Sequence, residues 1–293
     1  MSDKGSNVYL MMLGDAYPYN VFEPEFNNGH TIFSSHWHES CLEMIMVTRG
    51  EVELHIGGKP FIGVPGDIFL IEEGVIHSGY VVDEPPGYYT ILLDRDRLAS
   101  SDFMNVASRS LLTGNLRLPA RLRSGEDAPY EACALAIRAI INEFTRKAEG
   151  YEIAMKSYLH ILLLELARSY GEFSARTERR SETAERNMER LKEAITYIES
   201  NYRERLTVGE TARVAGMSPY YFCRMFKHAV GRTFTEFIHL YRICQAETLI
   251  RTTGLPISLI AERTGFGTSQ YLDELFKRYK GCTPTQLRKQ TLP

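Results

Sequence analysis

Residues 212–238 run ARVAGMSPYYFCRMFKHAVGRTFTEFI, and a related pattern returns at residues 257–289 as ISLIAERTGFGTSQYLDELFKRYKGCTPTQLRK. In both copies an alanine is followed by a glycine, then by Phe-Lys, a second glycine and a threonine, at spacings that differ by one residue. Each copy therefore predicts a helix, a tight turn that contains glycine, and a second helix. That order of elements is a helix-turn-helix motif, and the chain contains two of them.

The second helix of each copy begins with a capping signal. Ser218 followed by Pro219 predicts a helix N-terminus, because serine accepts a hydrogen bond from the first turn and proline fits the first helical position. Thr268 or Ser269 would serve the same purpose in the second copy. Between the copies, residues 233–254 predict a connecting helix. Its apolar residues include Phe234, Phe237, Ile238, Tyr241 and Ile250.

The second helix of each copy is the element expected to enter a major groove of DNA, which has room for one α-helix. Arg224 is the expected guanine reader, whereas Lys227 and Lys277 lie late in their helices, where a phosphate is the expected partner. The residues predicted to contact DNA are Ser218, Tyr220, Tyr221, Arg224, Lys227, Thr268, Ser269, Gln270, Lys277 and Arg278. An ordinary helical bundle with a solvated basic face is the alternative.

Charge and composition support a cytoplasmic DNA-binding protein. Residues 188–293 hold 16 Lys and Arg against 10 Asp and Glu, whereas residues 1–187 hold 18 against 27, so the basic half is expected to bind a polyanion. Apolar residues make up 44% of the chain, which is an ordinary globular value. Five scattered cysteines without a C-x-x-C pair argue against a disulfide framework or a zinc finger. No apolar run is long enough to span a bilayer, so no membrane partner is expected.

Residues 206–288 resemble the DNA-binding domain of the AraC/XylS family of bacterial transcription regulators. The resemblance is carried by the runs I-A-E-R-x-G-F and F-K-R-x-x-G and by the closing T-P-x-x-x-R. It implies two helix-turn-helix units that are joined by a long helix and read neighbouring major-groove segments of one promoter site. The family usually has basic or small polar residues where this chain has Asp273 and Glu274. Because phosphates repel carboxylates, we expect the second unit to read bases weakly, through Ser269 and Gln270.

The acidic half predicts an antiparallel β-barrel or jelly roll. Short β-rich runs follow one another between residues 33 and 93, and glycine or proline separates them. The runs are CLEMIMVTRG, EVELHIGG, KPFIGVPG, DIFLIEEG and GYYTILLD. Gly57-Gly58 predicts a two-residue hairpin turn. The predicted fold class is α+β, with this barrel in residues 1–125 and an all-α domain in residues 188–293.

His36, His38, Glu43 and His77 form a pattern that is typical of a metal or effector site. Histidines at positions i and i+2 of a strand point to the same side, and a glutamate and a third histidine from neighbouring strands would complete the set. Three imidazoles and one carboxylate suit Fe, Mn, Ni, Zn or Cu. The order and spacing resemble the two cupin motifs, which are common in sensor domains of AraC-type regulators. Gly29 is one residue out of place, and Glu72-Glu73 replaces a frequent proline.

The occupant of that site is left open by the sequence. One candidate occupant is a divalent transition metal, although the protein is not expected to require a cofactor. The alternative is an organic effector, with the histidines lining its pocket. The histidines could also be hydrogen-bonded structural groups in the barrel mouth. Trp37 should point away from the two histidines that flank it, so it is expected to contribute to packing rather than to ligand binding. His55 is expected to be a surface or structural residue.

Residues 126–187 predict a helical dimerisation segment and a linker. In residues 130–148, a broad helical face should carry Leu135, Ile137, Ile140, Ile141 and Phe144. The helix at 153–170 is apolar over much of its circumference, which predicts two neighbours: the barrel, and either a partner subunit or a third element of the same chain. The predicted dimer contact would involve some of its leucines. These are Leu159, Leu162, Leu163 and Leu166. Residues 172–187 have linker composition, with a solvated helix as the alternative.

The leading hypothesis is a ligand-responsive transcription regulator that binds double-stranded promoter DNA. Its partners would be a small-molecule effector, a second copy of the chain and RNA polymerase. A sugar is the first candidate effector, because cupin-type members of the family often regulate carbohydrate use. The alternative is a metal-dependent cupin enzyme fused to a DNA-binding module, but the sequence offers no separate catalytic base or substrate clamp, so no catalytic residue is assigned. A third hypothesis is an effector-independent regulator with a vestigial barrel. The sequence does not distinguish an activator from a repressor.

Overall fold

The computed structural model describes residues 19–24, 31–94, 118–170 and 182–291. It has the predicted α+β fold, with antiparallel sheets in the N-terminal domain and helices alone in the C-terminal domain. The strands are β1 (Tyr19–Phe22), β2 (Thr31–His36), β3 (Cys41–Arg49), β4 (Val52–Ile56), β5 (Lys59–Gly63), β6 (Ile68–Ile71), β7 (His77–Val81), β8 (Gly87–Asp94) and β9 (Arg121–Leu122).

Two antiparallel sheets form the N-terminal domain, rather than one closed sheet among the residues described. The five-stranded sheet has the order β1-β8-β3-β6-β9, and the four-stranded sheet has the order β2-β7-β4-β5. This alternation of strands between two sheets is the arrangement of a jelly roll. Gly57 and Gly58 join β4 to β5 with φ values of 56° and 86°, as a tight hairpin turn requires.

The space between the sheets is filled by aliphatic and aromatic side chains of β2, β3, β4 and β6. Phe33, Ile45, Leu54 and Phe69 are among the buried residues of this core. The packing leaves the polar site at one end of β2 and β7, where His36 pairs in register with His77. The fold therefore brings together two of the predicted site residues by strand pairing alone.

Two helices cover the other face of the five-stranded sheet: α1 (Tyr130–Arg146) and α2 (Tyr151–Tyr170). The predicted apolar face of α1 was right for Ile137 and Ile140, which are buried, but wrong for Leu135, which is 71% exposed. The prediction for α2 also needs correction. The four leucines predicted for the dimer contact are in the core against the sheet and α1, so they are not available to a partner: Leu159, Leu162, Leu163 and Leu166.

The C-terminal domain consists of seven described helices. They are α3 (Glu182–Asn201), α4 (Val208–Val214), α5 (Pro219–Val230), α6 (Phe234–Thr252), α7 (Ile257–Arg263), α8 (Ser269–Lys280) and α9 (Pro284–Thr291). Helices α4 and α5 form the first helix-turn-helix unit and α7 and α8 the second, with α6 as the connecting helix. Each unit has its own apolar core, and α3 packs into the core of the first.

The caps of the recognition helices are where the sequence places them. Ser218 caps α5 by accepting from the Tyr221 amide, and Thr268, rather than Ser269, caps α8 by accepting from the Tyr271 amide. Of the predicted linker, residues 172–181 lie outside the described residues and 182–187 belong to α3, which is the helical alternative. In the described parts of the chain, no helix is both long and apolar enough to cross a membrane.

Candidate functional site

His36, His38, Glu43 and His77 converge at one end of the jelly roll. His36 ends β2, Glu43 lies in β3 and His77 begins β7, so three separate strands position the group. One ligand atom from each residue can be chosen so that all four atoms lie within 4.8 Å of one another. The four residues are only 1–5% exposed. We call this group the His/Glu cluster.

Glu43 is the centre of the cluster. Its Oε2 atom lies 3.2 Å from His38 Nε2 and 2.8 Å from His77 Nε2. Burial opposes ionisation of Glu43, but the electrostatic effect of the two imidazoles beside its Oε2 atom outweighs burial, so the pKa of this carboxyl is held well below its ordinary value. The carboxylate is therefore ionised, as a metal ligand must be.

A backbone contact fixes the orientation of His77. Its Nδ1 atom lies 2.9 Å from the carbonyl oxygen of Val75, and because a carbonyl can only accept, Nδ1 is the donor. The other nitrogen, Nε2, then faces Glu43. Metal-binding histidines commonly use one ring nitrogen in this way to hold the other toward the ion.

Aromatic packing confines the cluster further. The Phe33 ring lies edge-on to His36 and His77, with ring centroids 5.5 and 5.8 Å apart respectively. The His36 and His77 rings are closer still, at 4.1 Å between centroids. Metal–nitrogen bonds are about 2.0–2.1 Å long, so ligands on opposite sides of one ion are about 4 Å apart. The donor set and its 4.8 Å span therefore fit a first-row transition metal.

The predicted DNA-contacting residues of the first unit lie along the outer side of α5. Ser218, Arg224 and Lys227 are exposed, and Tyr220 is 80% exposed. Tyr221 is half-buried: its hydroxyl accepts a hydrogen bond from Asn187, and its ring carries the Arg224 guanidinium at 5.4 Å from the centroid. Tyr221 therefore supports Arg224.

In the second unit, a carboxylate lies on the outer side of α8. Glu274 is exposed and pairs with Arg278 at 2.9 Å, one helical turn later. Gln270 and Lys277 are exposed as well, whereas Ser269 is half-buried. The two units therefore present different chemistry to solvent at equivalent positions, since Arg224 of α5 corresponds to Glu274 of α8.

Sequence reasoning missed a group of residues that join the two domains. Ser78 and Tyr80 of β7 contact the C-terminal end of α5, and the Arg232 guanidinium lies 4.0 Å from the centre of the Tyr80 ring. His55, expected to be surface or structural, is buried at the same place beside Gly231. Nothing in the periodicity of β7 signals such a contact, because an outward-facing hydroxyl on a strand normally meets water.

Comparison with known proteins agrees with both halves of this description. An AraC-like ligand binding domain matches residues 22–163, and a helix-turn-helix domain matches residues 211–290. The chain belongs to the AraC family. The predicted family, fold class and general function are thereby confirmed: this AraC-family protein is a transcription regulator that joins a ligand-binding domain to a DNA-binding helix-turn-helix domain.

Curated relatives resemble the chain over nearly its whole length. HTH-type transcriptional activator RhaR from Enterobacter sp. (strain 638) is 23% identical over 95% of this chain and 91% of its own. The protein of the same name from Cronobacter sakazakii is 25% identical over 96% of this chain and 91% of its own. A solved structure of fatty-acid-bound ToxT from Vibrio cholerae is 13% identical, with a TM-score of 0.42 over 94% of this chain and 95% of that one.

Proposed function

We propose that this regulator senses a divalent transition-metal ion at the His/Glu cluster, and that occupation of the site changes its affinity for promoter DNA. The observation that carries the proposal is the convergence of three imidazoles and an ionised carboxylate within 4.8 Å. Borderline and hard donors of this kind select first-row metals such as Zn, Ni, Fe and Mn. The ion would be held by His36, His38, Glu43 and His77. It would supply a positive charge at a site whose ligands suit a cation.

Burial favours an ion over a sugar as the occupant of the cluster. The four side chains are almost fully covered, and the Phe33 ring lies against two of them. A sugar presents many hydroxyl groups that need hydrogen-bonding partners, and the apolar core beside the cluster does not provide them. An organic effector would therefore have to bind elsewhere in the domain or open the site.

We assign the cluster a sensory role and no catalytic one, because a regulator with a DNA-binding domain gives the ion a use without chemistry. A second copy of the chain is the proposed protein partner. Its contact would be the exposed apolar stripe on α2, where Ile153, Ile161 and Leu164 lie on one side of the helix at spacings of eight and three residues. RNA polymerase remains a proposed partner at the promoter, since the relatives are named activators.

Calorimetric titration of the metal-stripped full chain with Zn²⁺, and separately with Ni²⁺, tests the proposed function. Wild type should bind one ion per chain, and His38→Ala should weaken binding at least about tenfold, because it removes one ligand. His160→Ala removes a histidine of α2 outside the cluster and should change nothing. A binding-site selection on the wild type defines the operator. The His38→Ala protein should still bind this operator, but metal should not change its affinity. No binding of either ion by wild type would contradict the proposal.

A further inference from the structure

The end of recognition helix α5 is capped by the other domain. The last helical carbonyls of a helix have no partner within the helix. Here the carbonyl oxygen of Val230, the final residue of α5, accepts hydrogen bonds from Ser78 Oγ at 3.0 Å and from the Tyr80 hydroxyl at 3.1 Å. Both donors are buried residues of β7. The N-terminal domain thus satisfies a polar group of the DNA-binding domain in a place where water is excluded.

The residues that follow Val230 tighten this contact. Gly231 has a φ of 79°, and a Cβ atom placed there would lie 2.5–2.6 Å from the His55 ring, so glycine is required twice over. The guanidinium of Arg232 lies 4.0 Å from the Tyr80 ring centroid, which is within range of a cation–π interaction. Together these groups bind a single turn of backbone to the outer face of β4 and β7.

A second contact is made by α3. The ammonium group of the buried Lys192 lies 5.7 Å from the Trp37 ring centroid. The same ammonium group would be 3.2 Å from a Cβ atom at Gly74. Ile76 is fully buried in the apolar core of the first helix-turn-helix unit, among side chains of α3 and α5. The N-terminal domain therefore contributes a side chain to the core of the DNA-binding domain.

The residues of the contact alternate with those of the His/Glu cluster. Trp37 stands between His36 and His38, and His77 stands between Ile76 and Ser78. Because successive side chains of an extended chain point to opposite sides, the same short segments present ligands on one side and the domain contact on the other. Any change in backbone position at the ligands must also move the contact residues.

The repeat shows that this contact is specific to the first unit. Gly281 closes α8 as Gly231 closes α5, and its φ of 71° is nearly the same. A Cβ atom at Gly281 would have nothing within 4 Å, however, and the flanking residues are Lys280 and Cys282 in place of Val230 and Arg232. The two glycines therefore share a backbone requirement but differ in whether they meet the other domain.

We propose that the outer face of β4 and β7, with Trp37 and Ile76, is a docking surface for the first helix-turn-helix unit, and that an ion at the His/Glu cluster strengthens this docking. This inference rests on the proposed metal function and describes how binding of the ion would reach the DNA-binding domain. In the docked structure the four ligand atoms are already gathered within 4.8 Å. An ion binds best to the state in which its ligands are assembled, and the ligands share short backbone segments with the contact residues, so the proposal is that the ion favours the docked state.

Linkage gives the proposal a measurable form. If the ion strengthens docking, then docking strengthens binding of the ion by the same factor, so a variant that undocks should lose ion affinity. The factor is measured at the His/Glu cluster, while the substitution is made in the other domain. A loss of ion affinity then reports coupling and cannot come from damage to a ligand.

The experiment compares Zn²⁺ binding to the full-length wild type with binding to the variants Gly231→Ala and Gly281→Ala. Both substitutions place a side chain on left-handed backbone, but only Gly231→Ala disturbs the docking surface. Gly231→Ala should weaken Zn²⁺ binding by about fivefold or more, and Gly281→Ala should leave it at the wild-type value. If Gly231→Ala does not fold, Arg232→Ala replaces it, with Arg263→Ala of the second unit as the matched control.

Hydrogen exchange on the wild type provides an independent measurement. Zn²⁺ should slow exchange of the backbone amides at residues 228–232 and leave the equivalent residues 278–282 unchanged. Equal Zn²⁺ affinity in the Gly231→Ala and Gly281→Ala proteins, or equal protection of the two segments, would overturn the coupling while the metal site stands. If wild type binds neither Zn²⁺ nor Ni²⁺, the proposed function fails and the coupling fails with it.

Discussion

At the scale of single residues, the side chains proposed to bind the ion and to read DNA are held in place by neighbouring groups. The carbonyl of Val75 selects the ring nitrogen that His77 turns toward Glu43, and the Tyr221 ring supports the Arg224 guanidinium. Such supports decide how precisely a ligand or a base contact is placed. Substitutions at the supports should therefore have smaller effects than substitutions at the functional groups, but in the same direction.

Arg224→Ala tests base reading by the first unit. Arginine makes two hydrogen bonds to guanine in the major groove, so its loss should weaken operator binding by about 1–3 kcal/mol and relax the preference at one or two base pairs. Fluorescence anisotropy on the selected operator and on substituted operators measures both effects. Lys277→Ala is the comparison: it should weaken binding to all sequences alike and reduce the salt slope by about one. An Arg224→Ala protein with an unchanged consensus would contradict the assignment.

The sequence predicted residues whose chemistry depends on local spacing. His36, His38 and Glu43 lie close together along the chain, and the pleat of a strand sets their direction, so their meeting with His77 needed only the correct strand pairing. Leu135 shows the limit of such reasoning: a helix turns about 100° per residue, which places Leu135 on the side of α1 opposite Ile137 and Phe144, where it is 71% exposed. Ser78 and Tyr80 were missed because their partner, the carbonyl of Val230, is about 150 residues away in sequence.

At the scale of elements, the two recognition helices have the same caps but different surfaces. Both α5 and α8 begin at a capping hydroxyl and end at a left-handed glycine. Helix α5 presents Arg224 where α8 presents Glu274, which is paired with Arg278 on the same side. A pair this exposed contributes little to folding stability, so its charges matter mainly for what approaches the helix. The second unit is thus suited to hold register on the phosphates rather than to read bases.

Glu274→Ala is the test at this scale. Removing the carboxylate takes away repulsion from phosphates and frees Arg278, so binding should tighten for all sequences and the consensus should not change. Glu193→Ala removes the same charge from α3 and separates this local effect from the change in net charge. A binding-site selection on the Glu274→Ala protein would refute the expectation if one position of the site lost its preference, since Glu274 would then accept a hydrogen bond from a cytosine.

At the scale of the whole molecule, the chain has two contact regions on different sides of the jelly roll. Helices α1 and α2 cover the five-stranded sheet, and the first helix-turn-helix unit contacts the four-stranded sheet. A partner bound to the exposed stripe on α2 would therefore not block the contact between the docking surface and the first helix-turn-helix unit. A dimer formed through α2 would place two copies of the DNA-binding domain in one particle, and each could respond to its own ion.

The double variant Ile161→Glu with Leu164→Glu tests the dimer. Charges placed on the stripe should yield monomers at micromolar concentration. Burying unpaired carboxylates in an apolar interface is more unfavourable in free energy than burial of the apolar surface is favourable. Val214→Glu changes an apolar residue of similar exposure on α4 and should leave the oligomeric state unchanged. Analytical ultracentrifugation of wild type without DNA decides the matter: a wild-type monomer at micromolar concentration would contradict the dimer.

The capping of α5 by the N-terminal domain has a consequence for how such regulators can diversify. Two of the hydrogen bonds across the contact end on the backbone carbonyl of Val230, and an amide carbonyl is present whatever side chains the helix carries. The positions predicted to face the promoter, such as 220 and 224, could therefore change in sequence while these hydrogen bonds to the helix are kept. One sensing domain could in this way be retargeted to a new set of promoters by exchange of a few surface residues, with the response to its signal inherited intact.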